Sequence, residues 1–372
     1  MVAGGGTGGH AVPAIAIAEA LVARGHPPSS IHFVGSRRGV EGRLVAAAGF
    51  EATLLPGRGL VRRPSLDNLA AAAGLLAAFA RAVLLVGRLR PAVVVAVGGW
   101  ASAAAAAAAV VWRVPLVVAE QNAVPGLANR LAGRFAAACA VSFEGTPLPR
   151  AVLTGNPVRS EIAHADTGPA GREAARRALG VPDGRVAVAA VGGSLGSRRI
   201  NEAVLGLAAR WAGRGDVWLR HVVGRRDYAE VAARRPPAEP GGLCYEQVEF
   251  EDRMDLLLVA SDAAVQRAGA STVAEVAAVG LPCVLVPLPG APGDHQTENA
   301  RRLEAAGAAV VVPDEELDAE RLERELGRLV ADAEARRRMA SAARSLARPR
   351  AAEDVAELAE RHALRGDPRR DR

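Results

Sequence analysis

Apolar residues along this chain gather into short unbroken runs, each ended by a small turn and followed by a longer stretch whose apolar positions recur every three or four residues. The runs predict strands over 31–34, 52–55, 93–97, 116–118 and 152–153 in the first half, and over 186–191, 217–223, 263–265, 283–286 and 309–312 in the second. Unbroken rather than alternating apolar character marks strands buried on both faces, as in parallel sheets. Strands that alternate with helical stretches need crossovers of one hand, with helices covering both sheet faces. The pattern predicts an α/β fold made of two doubly wound, Rossmann-like parallel-sheet domains.

A length of 372 residues agrees with two domains, because one core seldom organises so long a chain. The periodicity lapses over 160–180, "SEIAHADTGPAGREAARRALG", into Gly, Pro and charge, which places a boundary there. The domains are therefore drawn as 1–159 and 160–346. One last helix, about 347–363, precedes 364–372, a basic tail with nothing apolar to bury that is predicted to be disordered.

Composition narrows the partners. Half the residues are hydrophobic but only 3% are aromatic, so the cores are built from Ala, Val and Leu. The same scarcity argues against single-stranded nucleic acid, whose readers need aromatic stacking platforms. All 46 basic residues are Arg, which by itself reads as coding bias, and the net charge of +6 suits an anionic partner such as acidic lipid or a phosphorylated substrate. Cys139, Cys244 and Cys283 lack metal-ligand spacing, and an odd number of cysteines fits a reducing, cytoplasmic setting. No signal-peptide pattern opens the chain. Residues 93–112 carry no charge, but their central Gly-Gly followed by alanines reads as a buried strand entering a helix. The stretch 69–90 is interrupted by Arg81 and flanked by Arg58, Arg62, Arg63, Arg88 and Arg90. It is either a surface that lies on an anionic leaflet or an ordinary amphipathic crossover helix.

Four turns stand out against this background: "GGGTGGH" (4–10), "GGWAS" (98–102), "GGSLGS" (192–197) and "RAGAST" (267–272). Each follows an apolar run and opens a helix. A glycine turn at a helix N-terminus offers unpaired N–H groups and the positive end of the dipole, which together bind phosphate. One such turn is weak evidence, since Gly also serves close strand–helix packing; two per domain point to a diphosphate ligand beyond the carboxyl ends of the strands.

With "EQNAVPGLANR", "TGNPVR", "RAGASTVAE" and "DHQTENA", these motifs stand in the order and at about the separations found in the MurG family of peptidoglycan N-acetylglucosaminyltransferases, within glycosyltransferase family 28. The chain resembles that family from Ala3 to about Ala363. The resemblance implies a GT-B fold, two Rossmann-like domains facing across a cleft, with the last helix returning to the first domain. It also implies the reaction: N-acetylglucosamine passes from UDP-N-acetylglucosamine to the C4 hydroxyl of N-acetylmuramyl-pentapeptide on undecaprenyl diphosphate (lipid I), with inversion, giving lipid II. Peripheral attachment to the cytoplasmic face of the membrane follows, with cell-wall and division proteins as further partners and no nucleic acid.

The resemblance further assigns residues. UDP-N-acetylglucosamine would meet Thr7, Gly8, Gly9, Asn122, Arg159, Ser194, the run Ala270, Ser271, Thr272, Val273, Ala274 and Glu275, and Gln296, with Phe250 over the uracil face and the backbone of Glu251 at its edge. Glu275 would accept from the ribose diol, although a carboxylate early in a helix also complements the dipole. Ser271 and Thr272 either cap their helix or donate to phosphate. Gly6, His10, Gly98, Gly99 and Ser102 would hold the acceptor diphosphate. His10, Glu120 and Asn122 are the catalytic candidates. A helix N-terminus keeps an imidazole neutral, which suits His10 as the base, but capping or binding acceptor phosphate are equal alternatives. Asp294 and His295 can simply cap their helix.

Three departures from the family pattern accompany these assignments: Leu195 where Gln is usual, Ala119 where His is usual, and Glu251 where an apolar residue is frequent. The first strand is also short, with only Met1, Val2 and Ala3 before the glycines; unmade ladder bonds are expected there, as from a misassigned start or a truncated chain. No Asp-x-Asp pair occurs, so no metal is expected and the leaving diphosphate must rely on helix N-termini and arginine. Three other readings stay open: an isomerase of the UDP-N-acetylglucosamine 2-epimerase kind, a non-catalytic UDP-sugar-binding protein, and a related transferase with another lipid acceptor.

Overall fold

The computed structural model describes residues 1–5, 8–37, 39, 41–56, 67–193 and 196–363. Gly6, Thr7, Arg58, Arg62, Arg63, Ser194, Leu195 and the tail 364–372, all singled out above, lie outside the described residues. The chain forms two compact units: Met1–Arg159 together with the chain from Arg348 onward, and Ser160–Ala347.

The first unit carries a seven-stranded sheet of β1 (Val2–Gly4), β2 (His32–Ser36), β3 (Glu51–Leu55), β4 (Val94–Gly98), β5 (Leu116–Glu120), β6 (Ala138–Val141) and β7 (Ala151–Leu153), in the order β3-β2-β1-β4-β5-β6-β7. The second carries six strands, β8 (Val186–Val191), β9 (Val217–Val222), β10 (Cys244–Val248), β11 (Ala263–Arg267), β12 (Cys283–Val286) and β13 (Ala309–Val311), in the order β10-β9-β8-β11-β12-β13. All pairings in both sheets are parallel. Strand order reverses direction between β1 and β4 and between β8 and β11, the crevices where doubly wound sheets take ligands.

The structure corrects the sequence-based strands in three ways. The apolar runs do not disclose β6 and β10: "ACAV" is alanine-rich and reads as helix, and "CYEQV" alternates with polar residues because β10 is a sheet edge. Strands also run on into polar residues, β5 to Glu120 and β11 to Arg267. The ladder bonds expected to be missing at the short β1 are made. Val2 and Ala3 pair with Phe33 and Val34 of β2 and with Val95 and Ala96 of β4, and the Met1 ammonium donates to the Val93 carbonyl at 3.0 Å.

In the first unit, α1 (Gly8–Ala23), α2 (Glu41–Ala47), α3 (Asp67–Leu89), α4 (Trp100–Val111) and α5 (Leu127–Gly133) link the strands. The crossovers through α3, α4 and α5 all run in one direction across the sheet, so a single hand places them on one face. Their small side chains, including Ala78, Ala82, Ala105, Ala109 and Ala132, pack on Val94, Ala96, Leu116 and Val118. The last helix, Ala351–His362, buries Val355, Leu358 and Ala359 with Ile17, Val117 and Ala138 on the other face. Arg24 clasps it by donating through Nε and Nη2 to Glu360 at 2.9 and 2.6 Å.

In the second unit a polar network is buried among β9, β10 and the helix Arg198–Arg210. His221, fully buried, meets the Tyr245 hydroxyl through Nδ1 at 2.9 Å and Asn201 Oδ1 through Nε2 at 3.0 Å. An amide oxygen only accepts, so the proton sits on Nε2 and the ring is neutral. Burial pushes His221 down to about 3 and Tyr245 up to about 12. An unfolded histidine titrates near 6.5, so below that pH the unfolded chain binds a proton that the folded one refuses. Stability from His221 is thus complete above pH 6.5 and declines toward pH 3, with a slope approaching about 1.4 kcal/mol per pH unit. Urea unfolding from pH 7.5 to 4.5 should show this decline in the parent and a shallower one in His221→Gln; equal slopes would contradict it.

Candidate active site: glycine turns at the strand ends

The four glycine turns follow β1, β4, β8 and β11, the strands that flank the two reversals of strand order. None of the helices they open has an acidic residue in its first turn: α1, α4, α8 (Arg198–Arg210, after the short α6 Ser160–Ala163 and α7 Pro169–Leu179) and the helix Ala270–Val279. The positive dipole ends are left for a ligand's charge.

In the first unit the turns after β1 and β4 touch through backbone. Gly5 N donates to the Gly98 carbonyl at 3.1 Å, and Gly98 and Gly99 have φ of 124° and 85°. A Cβ on Gly99 would lie 1.9 Å from the Gly5 carbonyl oxygen, and one on Gly98 would lie 2.8 Å from the His10 ring. Only glycine allows both the torsions and the approach. Gly8 and Gly9 are exposed at the start of α1 and His10 is half-buried against Gly98. Ser102 is buried inside the turn, where its Oγ accepts from Gly98 N at 3.2 Å.

Glu120 ends β5 as a buried carboxylate. Its Oε1 accepts from the backbone N and Nδ2 of Asn122 at 2.9 and 3.1 Å, and its Oε2 accepts from Gly126 N and Asn129 Nδ2 at 3.0 and 2.9 Å. Four donors on one carboxylate hold the 120–129 loop and orient Asn122. Asn129 also donates to Ala119 O at 3.2 Å, so this loop is organised without the histidine usual at position 119. Arg159, half-buried, closes the first unit.

In the second unit, Gly193 and Gly196 have φ of 91° and 84°, and a Cβ on Gly196 would lie 2.4 Å from the Val223 carbonyl. Ser197 caps α8, accepting from Ile200 N at 3.4 Å. Arg267, which sequence reasoning did not single out, ties the region together. Its Nη1 donates to Asp314 Oδ1 at 2.6 Å and to the Val286 and Pro287 carbonyls, and its Nη2 donates to Ser197 Oγ at 2.6 Å. One guanidinium therefore links the ends of β11 and β12 to the turn after β8.

Gly269 occupies the cap position of the helix Ala270–Val279 with no side-chain cap bond, so Ser271 and Thr272 do not cap it. Ser271 Oγ is buried without a protein hydrogen-bond partner. Ala270, Thr272 and Ala274 are half-buried and Val273 is buried. Glu275 is buried in the second turn, beyond the range at which a carboxylate complements the dipole most strongly. Gln296 Oε1 accepts from Leu288 N at 3.0 Å, which closes the loop before its helix. Asp294 makes no backbone cap; its Oδ1 accepts from Thr297 Oγ1 at 2.7 Å. Phe250 is exposed with the Arg225 guanidinium 5.0 Å from its ring centroid. Glu251 is buried, and its side chain turns away from solvent onto Arg220. Among the described residues no group of three His, Cys, Asp or Glu side chains is arranged to hold a metal.

Comparison with known proteins agrees with this architecture. The glycosyltransferase family 28 N-terminal domain matches residues 1–141 and the family 28 C-terminal domain matches residues 187–360. A Nocardioides protein named UDP-N-acetylglucosamine–N-acetylmuramyl-(pentapeptide) pyrophosphoryl-undecaprenol N-acetylglucosamine transferase is 42% identical over 93% of each chain. A protein of the same name from Acidothermus cellulolyticus is 40% identical over 98% of this chain and 97% of its own. The crystal structure of Acinetobacter baumannii MurG superposes with a TM-score of 0.75 at 27% identity, covering 97% of this chain and 98% of that one. A UDP-GlcNAc 2-epimerase from Neisseria meningitidis reaches a TM-score of 0.65 over 97% of this chain and 99% of its own, but at 12% identity this likeness concerns the fold alone. The chain belongs to glycosyltransferase family 28.

Proposed function

We propose that the protein is an inverting transferase that moves N-acetylglucosamine from UDP-N-acetylglucosamine to the C4 hydroxyl of the N-acetylmuramyl sugar of lipid I. The observation that carries this reading is the placement of four glycine turns, each opening a helix without a first-turn acid, at the two reversals of strand order. Such ends bind phosphate through backbone N–H groups, and both substrates are diphosphates. The relatives named above carry the same activity in their names over nearly their full length.

On the donor side, the helix Ala270–Val279 and the turn 192–197 receive the UDP diphosphate, with the unpartnered Ser271 hydroxyl as a donor. Glu275 takes the ribose diol, Phe250 and the Glu251 backbone take uracil, and Gln296 takes the sugar. On the acceptor side, Gly98 and Gly99 receive the lipid diphosphate, and Gly8 and Gly9 stay with the donor. The acceptor oxygen attacks the anomeric carbon from the face opposite UDP; the new C–O bond forms as the bond to the phosphate oxygen breaks. His10 takes the hydroxyl proton, and helix N-termini and arginine stabilise the charge on the departing UDP without a metal. Glu120, saturated by four donors, acts as a positioning residue for Asn122, a revision of the catalytic role the sequence suggested.

We place the membrane contact on the outer face of α3, α4 and α5. No described helix is long and apolar enough to cross a membrane. Leu76, Leu84, Trp112, Leu127 and Phe135 are nonetheless 70%, 72%, 47%, 70% and 66% exposed. Arg81, Arg88, Arg90, Arg113, Arg130 and Arg134, in the same three helices or just beyond their ends, are exposed as well. An apolar face that also carries cations suits an anionic leaflet.

Purified protein in EDTA should release UDP only when a short-chain lipid I analogue is present, giving a product heavier by one N-acetylhexosamine. His10→Ala should lower turnover by about 10²–10⁴-fold while UDP affinity stays within about twofold. UDP binding without acceptor-dependent turnover would contradict the transferase reading, and full turnover in the variant would remove His10 as the base. Leu76→Asp with Leu84→Asp should weaken binding to phosphatidylglycerol vesicles by about tenfold or more in flotation, because two apolar side chains of about 1.5–3 kcal/mol each leave the lipid. Parent-like flotation would contradict the placement.

A further inference from the structure

Glu251 is anomalous where it stands. It occupies the loop after β10 at a position read above as facing the nucleobase through its main chain, yet its side chain is an acid that is only 6% exposed. A buried carboxylate is costly unless it is paired and hydrogen-bonded. Here it is both. Arg220 of β9 donates to Glu251 Oε2 through Nε at 2.8 Å, with Nη2 in ion-pair contact with the same oxygen at 2.7 Å, and the Arg253 backbone N donates to Oε1 at 3.0 Å. The third guanidinium nitrogen of Arg220, Nη1, is 2.8 Å from Glu246 Oε2 on the neighbouring strand β10. Glu246 is fixed in turn by the indole N–H of the fully buried Trp218, which donates to its Oε1 at 3.0 Å.

Arg220 and Glu246 are register partners in the parallel ladder, as are Trp218 and Cys244, so the brace grows from the sheet itself. It runs from the core at Trp218, through Glu246 and Arg220, to the Glu251 carboxylate and the Arg253 amide, which stands at the start of the helix Met254–Ala260. The loop is pinned at its other end by backbone bonds, Val223 N to Val248 O at 2.9 Å and Gly224 N to Glu249 O at 3.0 Å. Between these anchors Phe250 points outward beside Arg225. The Glu251 side chain thus fixes where the main chain of residues 250–252 lies.

We propose that Arg220 is a positioning residue for nucleobase recognition: by clamping the Glu251 carboxylate beneath the loop it fixes the main chain that reads the uracil edge, and so sets the preference for uridine over cytidine diphosphates. The inference rests on the donor-site reading given above and deepens it. Uracil and cytosine have the same face but exchange donor and acceptor at the pyrimidine edge. A stacking partner such as Phe250 cannot separate them, whereas a backbone N–H and carbonyl held in register can. A guanidinium suits the task because its nitrogens lie in one plane and serve two carboxylates at once, which an ammonium on a flexible stem does not.

The test is calorimetric binding of UDP and CDP to the full-length parent, to Arg220→Lys, and to the double variant Arg220→Met with Glu251→Ile. The double variant replaces the Arg220–Glu251 ion pair with an apolar pair; Glu246 keeps the Trp218 indole as a donor, and its side chain is 34% exposed, so water can take the place of Arg220 there. Arg220→Lys is expected to weaken UDP by about tenfold and leave CDP within about twofold, so that discrimination collapses, because loss of ordered edge hydrogen bonds carries most of the difference between such analogues. kcat at saturating UDP-N-acetylglucosamine should remain within about threefold, confining the effect to KM. The double variant should recover UDP affinity and the UDP:CDP ratio to within about threefold of the parent. A parent-like ratio in Arg220→Lys overturns the proposal. So does a folded double variant that fails to recover the ratio, since the ion pair would then be needed for more than position. A parent that binds no UDP overturns the donor-site reading together with the proposal.

Discussion

The close approach of two backbone turns governs the first unit. The Gly5 carbonyl sits where any Cβ on Gly99 would have to go, 1.9 Å away, and Gly98 and Gly99 hold torsions that side chains disfavour. That approach brings the N-termini of α1 and α4 together at the point where strand order reverses, and it seats the His10 ring on Gly98. β1 can be three residues long and still central because both neighbours pair with it. Nothing acidic in the first turns of α1 and α4 offsets the positive ends of their dipoles.

The second unit repeats the device and reinforces it with arginine. Gly196 approaches the Val223 carbonyl, and Arg267 spans the ends of β11 and β12 and the capping Ser197. With Asp314 as its counter-ion, Arg267 is a structural hub of the turn. Arg220 acts in the same way on β9, tying Glu246 and Glu251 together. In this chain, whose basic residues are all Arg, Arg267 and Arg220 use the planar fork as internal scaffolding, each meeting several acceptors at fixed angles. A composition that reads as coding bias in the sequence therefore has structural consequences.

Much of this was legible in the sequence because the physics is local. Apolar runs disclose ten of the thirteen strands among the described residues, and the glycine turns mark the strand ends that flank both reversals of strand order. What escaped depends on tertiary context. β6 is a strand because it lies between β5 and β7, and no propensity in "ACAV" says so. Glu120 looked like an acid/base candidate in sequence, but Gly126 and Asn129 fold back to saturate it. Arg220 and Asp314 have sequence-distant partners, so only Glu251, an acid where an apolar residue is frequent, hinted that a buried partner must exist.

The most direct test of the central claim is to substitute Gly99→Ala and measure two quantities on the same preparation: UDP affinity by calorimetry and N-acetylglucosamine transfer to a lipid I analogue. The added methyl forces the turn after β4 away from Gly5, while the turns of the second unit keep their own glycines. UDP affinity within about twofold of the parent, with transfer reduced by about 10²-fold or more, is the predicted result, since displacement of about 1 Å at a reacting centre has effects of that size. Parent-like transfer in the folded variant would show that the glycine approach does not govern the site.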